Sequence, residues 1–356
     1  MVMARQRVAV IFGGRSGEHE VSVVSARSVM AALDRDRWEV VPIAITRKGA
    51  WLSPAETQHG LDNGMAAFTG GGDSVLTSAG ALAALAASDV AFPLVHGTYG
   101  EDGTLQGFLE IAGKPYAGGG VAASAIGMDK ALMKALFREA GIRIARYAVV
   151  RSWEVAADEP AAIRYVEETL GYPCFVKPAN GGSSVGITRA VSREDLPGAF
   201  KAAFAYDDKA VIEEEIRGQE VECSVLGNER PEASVVGEVE PDREFYDYDS
   251  KYAPDSKTAL YIPARISPET AANVRELALR MYQVMGCEGY ARVDFFVRGG
   301  DEVVANEVNT IPGFTSISMF PKLWEASGLS YPDLIDRLIQ LALERHSEKA
   351  RIRYSL

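Results

Sequence analysis

Apolar and polar positions follow two different periods along this chain, and the change of period marks its elements. Residues 8–12 (Val-Ala-Val-Ile-Phe) form an unbroken apolar run stopped by Gly13-Gly14, the pattern of a strand covered on both faces. Residues 21–33 instead place Val21, Val24, Ser25, Ser28, Val29, Ala32 and Leu33 on one helical stripe. Residues 40–45 and 89–95 predict further strands, and the Gly/Ser/Thr-rich stretch 60–80 between them reads as a mobile excursion. This βαβα order predicts a small parallel sheet with helices on both faces. Ligands gather beyond the carboxyl ends of such strands. The segments Gly13-Gly14-Arg15-Ser16-Gly17-Glu18-His19 and His96-Gly97 fall at those ends.

The pattern then changes. A helix is predicted over 129–140, with Gly141 as its stop, and strands over 145–150, 174–177 and 210–214. Glycine, serine and asparagine fill the loop 179–186. Strands follow at 220–226, 232–240, 291–297 and 302–307, with helices over 268–285 and 331–344. The order predicts α+β architecture after the α/β start, so the chain reads as α/β and α+β multidomain.

Composition narrows the function. A chain of 356 residues is long enough for two or three domains. The count of 37 Lys and Arg against 49 Asp and Glu gives a net charge of −12, which argues against a duplex nucleic-acid binder. Cys174, Cys223 and Cys287 are scattered and form no C-x-x-C pair, so a reducing cytoplasm fits and a zinc knuckle does not. The apolar run at 8–12 is too short for a signal-peptide core, and the Ala-rich 79–87 falls far short of the roughly 20 residues that span a bilayer. A soluble, cytoplasmic protein with no membrane partner is expected.

Two stretches carry candidate chemistry. In 291–297 the alternation puts Arg292, Asp294 and Phe296 on one face. A two-residue turn at Gly299-Gly300 would set Arg292 opposite Glu307 and Asp294 opposite Ala305, leaving Glu307 diagonal to Asp294 at roughly 7–8 Å. Asn309 extends the same face. Oxygen donors without His or Cys suit a hard cation such as Mg²⁺ carried by a nucleotide. A solvated polar face with an Arg–Glu pair would look the same, but Thr310-Ile311-Pro312-Gly313-Phe314-Thr315-Ser316 follows directly and supplies amides and hydroxyls for an anion. The second stretch, Lys177-Pro178-Ala179-Asn180-Gly181-Gly182-Ser183-Ser184-Val185-Gly186, follows a strand and lets backbone amides approach phosphate oxygens beside a lysine. It is not a Walker loop. Gly118-Gly119-Gly120-Val121-Ala122-Ala123 fits the dinucleotide pattern, yet no strong strand leads into it and no ribose-binding acid stands about 20 residues later.

Taken together, these segments resemble the ATP-grasp ligases and, within them, the D-alanine–D-alanine ligase family. The resemblance runs from about Val8 to Pro321. It rests on Phe12 to Ser22, His96 to Gly107, Met128-Asp129-Lys130, the Lys177 loop, Phe245 to Tyr252 and Glu307 to Thr315, in the family's order. It implies an ATP-grasp fold with an N-terminal parallel α/β domain (1–128), a central lobe (129–216) and a C-terminal lobe (217–356) bearing a lid loop at 242–263. The implied reaction is ATP-dependent joining of two D-alanines through an acyl phosphate, for peptidoglycan precursors. Lys130, Lys177, Ser183 and Ser184 would bind phosphate. Glu213 would take the adenine amino group, Glu214 and Ile216 would offer backbone groups, and Glu220 would hold ribose. Asp294, Glu307 and Asn309 would ligate two Mg²⁺ ions, with Mn²⁺ as a substitute. Arg292 and the Gly313 amide would be oxyanion donors. Glu18 would meet the first substrate's ammonium group, with Ser183 and Tyr252 as its hydrogen-bonding partners. His96, Lys251, Ser318 and Met319, the last where many relatives have Leu, would lie at the substrates. Taken alone, Glu18 would read as a first-turn helix acid, a position where an acid is favoured anyway. Relatives are commonly homodimers. A D-alanine–D-lactate ligase and an inactive nucleotide-binding regulator are the alternatives; Tyr252 argues against the first and the complete set of charged residues against the second.

Overall fold

The computed structural model describes residues 5–64, 68, 74–182, 184–241, 258–315 and 317–353. The first strands are β1 (Gln6–Gly13), β2 (Trp38–Ile45) and β3 (Val90–Pro93), which form a parallel sheet in the order β2-β1-β3. The alternation within β1 explains why both faces are covered. Val8, Val10 and Phe12 point to a core shared with the helix His19–Ala32, and Ala9 and Ile11 to a core shared with the helices Ala79–Ala86 and Thr104–Ile111. The expected parallel sheet is present, and with it a feature the periodicity does not reveal. The closing helix, Tyr331–Lys349, brings Leu334, Ile335, Leu338 and Ile339 back onto the Val8–Val10–Phe12 face. Buried Arg345 then fastens it, donating to the Tyr116 carbonyl at 2.7 Å and to the Gly118 carbonyl.

The described residues of the excursion expected at 60–80 include two helical segments. Gly60 lies inside the helix Pro54–Asn63, which opens with a capping box between Ser53 and Glu56. Buried Phe68 sits where a Cβ on Gly60 would be, only 2.4 Å from its nearest atom. A glycine that reads as loop punctuation is there to admit an aromatic ring.

Two antiparallel sheets follow. The four-stranded sheet is ordered β4-β7-β5-β6, from β4 (Tyr147–Arg151), β5 (Cys174–Pro178), β6 (Thr188–Ala190) and β7 (Lys209–Glu214). The helices Ser152–Thr169 and Leu196–Ala203 cover it. The five-stranded sheet is ordered β10-β9-β8-β11-β12, from β8 (Gln219–Leu226), β9 (Glu232–Glu240), β10 (Ala259–Tyr261), β11 (Tyr290–Arg298) and β12 (Glu302–Asn309). Val274, Ala278 and Met281 of the helix Pro268–Val284, with Met133 and Phe137 of the helix Lys130–Glu139, fill one of its faces. The last residues of the expected lid segment, 258–263, include β10, which pairs with β9; residues 242–257 lie outside those described.

The hairpin register differs from the sequence expectation. The turn has three residues, 299–301, with Gly299 and Gly300 at positive φ (63° and 94°). A bulge between Asp294 and Phe295 shifts the pairing again, so Asp294 faces Glu307 directly and Arg292 faces Asn309. Residue spacing alone could not disclose the extra residue. Its effect is to bring the two carboxylates opposite each other.

Candidate active site

A cleft of about 1660 Å³ opens among the three sheets, and its wall includes Glu18, His96, Glu101, Lys130, Lys177, Gly182, Ser184, Glu213, Glu214, Ile216, Glu220, Arg292, Asp294, Glu307, Asn309, Gly313, Ser318 and Met319. Segments as far apart in sequence as Glu18 and Met319 therefore converge. Ser183, Lys251 and Tyr252 lie outside the described residues.

Its floor is the five-stranded sheet. Because Asp294 pairs with Glu222 on one side and Glu307 on the other, three acids form a row across β8, β11 and β12. Arg292 lies one alternate position along β11. Its guanidinium grips Asp294 with two 2.7 Å hydrogen bonds and stands 3.0 Å from Glu222. Burial works against that cation, but the carboxylates of Asp294 and Glu222 outweigh it and hold the guanidinium firmly charged. The Asn309 side-chain amide donates to Asp294 at 2.9 Å. Asp294, Glu307 and Asn309 thus present two carboxylates and one amide. Among the described residues there is no cluster of three His, Cys, Asp or Glu side chains set to hold a metal by itself. This donor set fits a hard cation whose coordination is completed by phosphate oxygens. Glu222 was not singled out in the sequence; its alternation with Glu220 on β8 was the available signal.

Lysines face this floor. Asp129 caps the helix Lys130–Glu139 by accepting from Ala131 and Leu132, and is itself ion-paired to Lys209. The next residue, Lys130, donates to the Gly181 carbonyl at 2.6 Å and lies 3.7 Å from Glu307, linking the glycine loop to the acidic hairpin. One helical turn on, Lys134 is almost wholly buried, 3.2 Å from Glu213. Lys177 approaches the other Glu213 oxygen at 3.0 Å. Burial raises the Glu213 pKa, yet the two lysines outweigh it and bring the carboxyl down to about 2. Burial pulls Lys134 below the usual lysine range despite Glu213, whereas for Lys177 the pull of Glu213 wins and its pKa rises. Lys134 does not line the cleft but supports Glu213, which does; the sequence reading missed it, although its i, i+4 spacing from Lys130 put it on the same helix face. Glu214 turns the other way, its carboxylate held by Arg146 at 2.8 Å.

The glycine loop is pinned at its base by Asn180, whose amide and side chain both donate to Asp207 at 2.7 and 2.8 Å. Ser184 adopts φ 61°, unusual for a residue with a side chain. Glu18 stands at the N-cap of the helix His19–Ala32, and its side chain makes no capping hydrogen bond there. Its Oε2 lies where a Cβ on Gly97 or Gly182 would crowd it, at 3.1 and 2.7 Å.

His96 is buried and uses both ring nitrogens inside the protein. Nδ1 bonds the Ile311 carbonyl at 2.9 Å and Nε2 meets Ser25 Oγ at 3.2 Å. Burial lowers its pKa, against the charge of Glu18. Glu101, 4.0 Å from His96, was part of a quoted motif but not a predicted site residue. Burial, then the charge of Glu18, push its carboxyl up to about 8. At the far end, Ser318 Oγ accepts from the Thr315 amide at 3.0 Å and lies 2.8 Å from the Cβ position of Gly313. Met319 is largely buried against Gly237, Val239 and Leu323.

Comparisons with known proteins identify the family. Residues 7–119 match the family model described as D-ala D-ala ligase N-terminus, and residues 136–340 the one described as D-ala D-ala ligase C-terminus. The chain belongs to the D-alanine–D-alanine ligase family. A D-alanine–D-alanine ligase from Bacillus cytotoxicus is 49% identical over 366 residues, covering 99% of this chain and 100% of the relative. Among solved structures, the D-alanine–D-alanine ligase from Coxiella burnetii superposes with a TM-score of 0.81 at 34% identity, covering 98% of each chain. The D-Ala:D-Ser ligase from Enterococcus faecalis does so at 0.79 and 35% identity, covering 95% of this chain and all of that one. The multidomain ligase fold expected from the sequence is thereby established. Among the described residues, no helix is long and apolar enough to cross a membrane.

Proposed function

We propose that this chain joins two D-alanine molecules into D-alanyl-D-alanine at the expense of ATP, for peptidoglycan precursors. The observation that carries this reading is the facing of two charge sets across one cleft: the Glu222–Asp294–Glu307 row with Arg292 on one side, and Lys130 and Lys177 on the other.

The chemistry explains why such a site is needed. A carboxylate is a poor acylating agent, so its oxygen first attacks the γ-phosphorus of ATP, giving an acyl phosphate and ADP. The amine of the second D-alanine then attacks that carbonyl, and phosphate leaves as the tetrahedral intermediate collapses. Both steps depend on charge neutralisation and alignment rather than on a covalent enzyme intermediate. Lys130, Lys177 and Ser184 would meet the phosphates, with Ser183 beside them. Glu213, kept ionised by its lysines, would accept from the adenine amino group, Glu214 and Ile216 would use backbone groups, and Glu220 would hold ribose. Asp294, Glu307 and Asn309 would hold Mg²⁺, or Mn²⁺ in its place, and the cation would supply neutralisation of phosphate charge. Glu18 would receive the first ammonium group, while Arg292 and the Gly313 amide would stabilise the oxyanion. Ser318 would meet the second substrate's carboxylate.

A phosphate-release screen with ATP, Mg²⁺ and D-alanine, L-alanine, D-serine or D-lactate tests the reading. Release that requires D-alanine, with dipeptide formed, is expected. Equal release with L-alanine, or none with D-alanine, would overturn it. D-Serine and D-lactate offered beside D-alanine report the acceptor preference, and Tyr252→Phe should raise tolerance for D-lactate.

A further inference from the structure

Gly313 sits inside a turn whose two sides are tied to the helix His19–Ala32 through His96 and Tyr331. On one side, the Ile311 carbonyl accepts from His96 Nδ1 at 2.9 Å. A carbonyl can only accept, so Nδ1 carries the proton, and the neutral ring then presents Nε2 as an acceptor. Ser25 Oγ, 3.2 Å away, supplies that hydrogen and in turn accepts from the Phe314 amide at 3.3 Å. On the other side, the Phe314 carbonyl accepts from the Tyr331 hydroxyl at 2.8 Å, and that hydroxyl also meets Ser28 Oγ at 3.0 Å. Ser25 and Ser28 stand three apart on the helix His19–Ala32, and Tyr331 begins the closing helix. The Phe314 ring is held edge-on or tilted by Phe92, Tyr290 and Phe320, with centroids 5.9, 5.5 and 5.2 Å away.

We infer that Ser25, His96 and Tyr331 are positioning residues that bracket the 311–314 turn and thereby fix the Gly313 amide where the acyl-transfer oxyanion forms. The inference rests on the ligase reading of the site. Preorganised donors matter because they need not move when charge develops, and a turn free to shift loses that advantage in the second chemical step rather than in nucleotide binding. Ser25, fully buried, belongs to no motif that the sequence singled out, and its hydroxyl joins the two ends of the turn.

The test uses the full-length enzyme with ATP, Mg²⁺ and D-alanine, counting phosphate released and dipeptide formed, with melting temperature measured for each variant. The wild type should release one phosphate per dipeptide. Ser25→Ala should lower dipeptide kcat about tenfold or more, leave the KM for ATP within about threefold, and raise the phosphate-to-dipeptide ratio to about two or more as acyl phosphate is lost to water. Tyr331→Phe, which removes one hydroxyl, should shift the ratio in the same direction by a smaller factor and serves as the test should Ser25→Ala fail to fold. A wild type that ligates while the folded variants keep one phosphate per dipeptide would overturn the bracket alone. A wild type that makes no dipeptide would overturn the ligase reading and the bracket with it.

Discussion

Gly182 leaves the space that the Glu18 carboxylate occupies: a Cβ at position 182 would stand 2.7 Å from Oε2. The contact joins the glycine loop of the central sheet to the first turn after β1, so the loop and the acid set each other's place. Since Gly182 does not need positive φ, alanine is compatible with the backbone, and the long Glu18 side chain is the part that must give way. Gly182→Ala should therefore raise the KM for D-alanine by about tenfold, a loss of about 1.4 kcal/mol. Its melting temperature should stay within a few degrees. Steady-state kinetics at saturating ATP check this, and an unchanged KM would refute the assignment of Glu18.

The direct pairing of Asp294 with Glu307 makes the hairpin the second target. Glu307→Gln keeps the side-chain shape but removes one charge from the oxygen set. Phosphate release should fall on the order of 100- to 1000-fold, with folding intact. Chelation of divalent cations should stop the wild type in the same assay, and added Mg²⁺ should restore it. A variant with a near-normal rate would remove the cation site from the hairpin.

Glu213 gives a stability prediction with a definite sign. Its folded pKa of about 2 lies below the ordinary value of 4.5, so its stabilising contribution is complete above about pH 4.5 and disappears as pH falls toward 2. Glu213→Gln leaves buried Lys134 without its counter-charge and should cost roughly 3–5 kcal/mol at pH 7. Denaturant unfolding should show the wild-type advantage narrowing between pH 4.5 and 3. A gap independent of pH would mean that the lysines do not hold this carboxylate.

Glu101 has the opposite sign. Its carboxyl is raised to about 8 by burial and then by Glu18, so the folded protein binds a proton that the unfolded chain releases above about pH 4.5. Stability from this group declines as pH rises from about 4.5 to 8. Glu101→Gln, which is neutral throughout, should gain in melting temperature relative to the wild type as pH goes from 5 to 8 in metal-free buffer. An unchanged difference would place a charged carboxylate at Glu101 already at pH 5.

Much of the architecture was legible because local patterns need no partner to be read. The apolar run of β1, the alternation of Arg292 with Asp294, and the capped start of the helix at Asp129 each follow from side-chain period and backbone chemistry. The order of the motifs also marked the candidate site before any contact was visible. Residues 152–169 were harder, because the helix there carries Pro160 and a non-helical Asp158 that break the apolar stripe.

Which elements form, and which chemical groups they carry, is written in local order along the chain, since propensity and periodicity act between near neighbours. How those groups meet depends on long-range packing. One extra residue in the hairpin turn and another in β12 together turned a diagonal pair of acids into a facing pair, and packing of the closing helix against the first sheet brought Tyr331 to Phe314. Lys134 and Ser25 read as ordinary helix residues until burial placed each against a polar partner from another element. A buried charge or hydroxyl must be paired, and its partner comes from packing between segments distant in the chain, which no local pattern records.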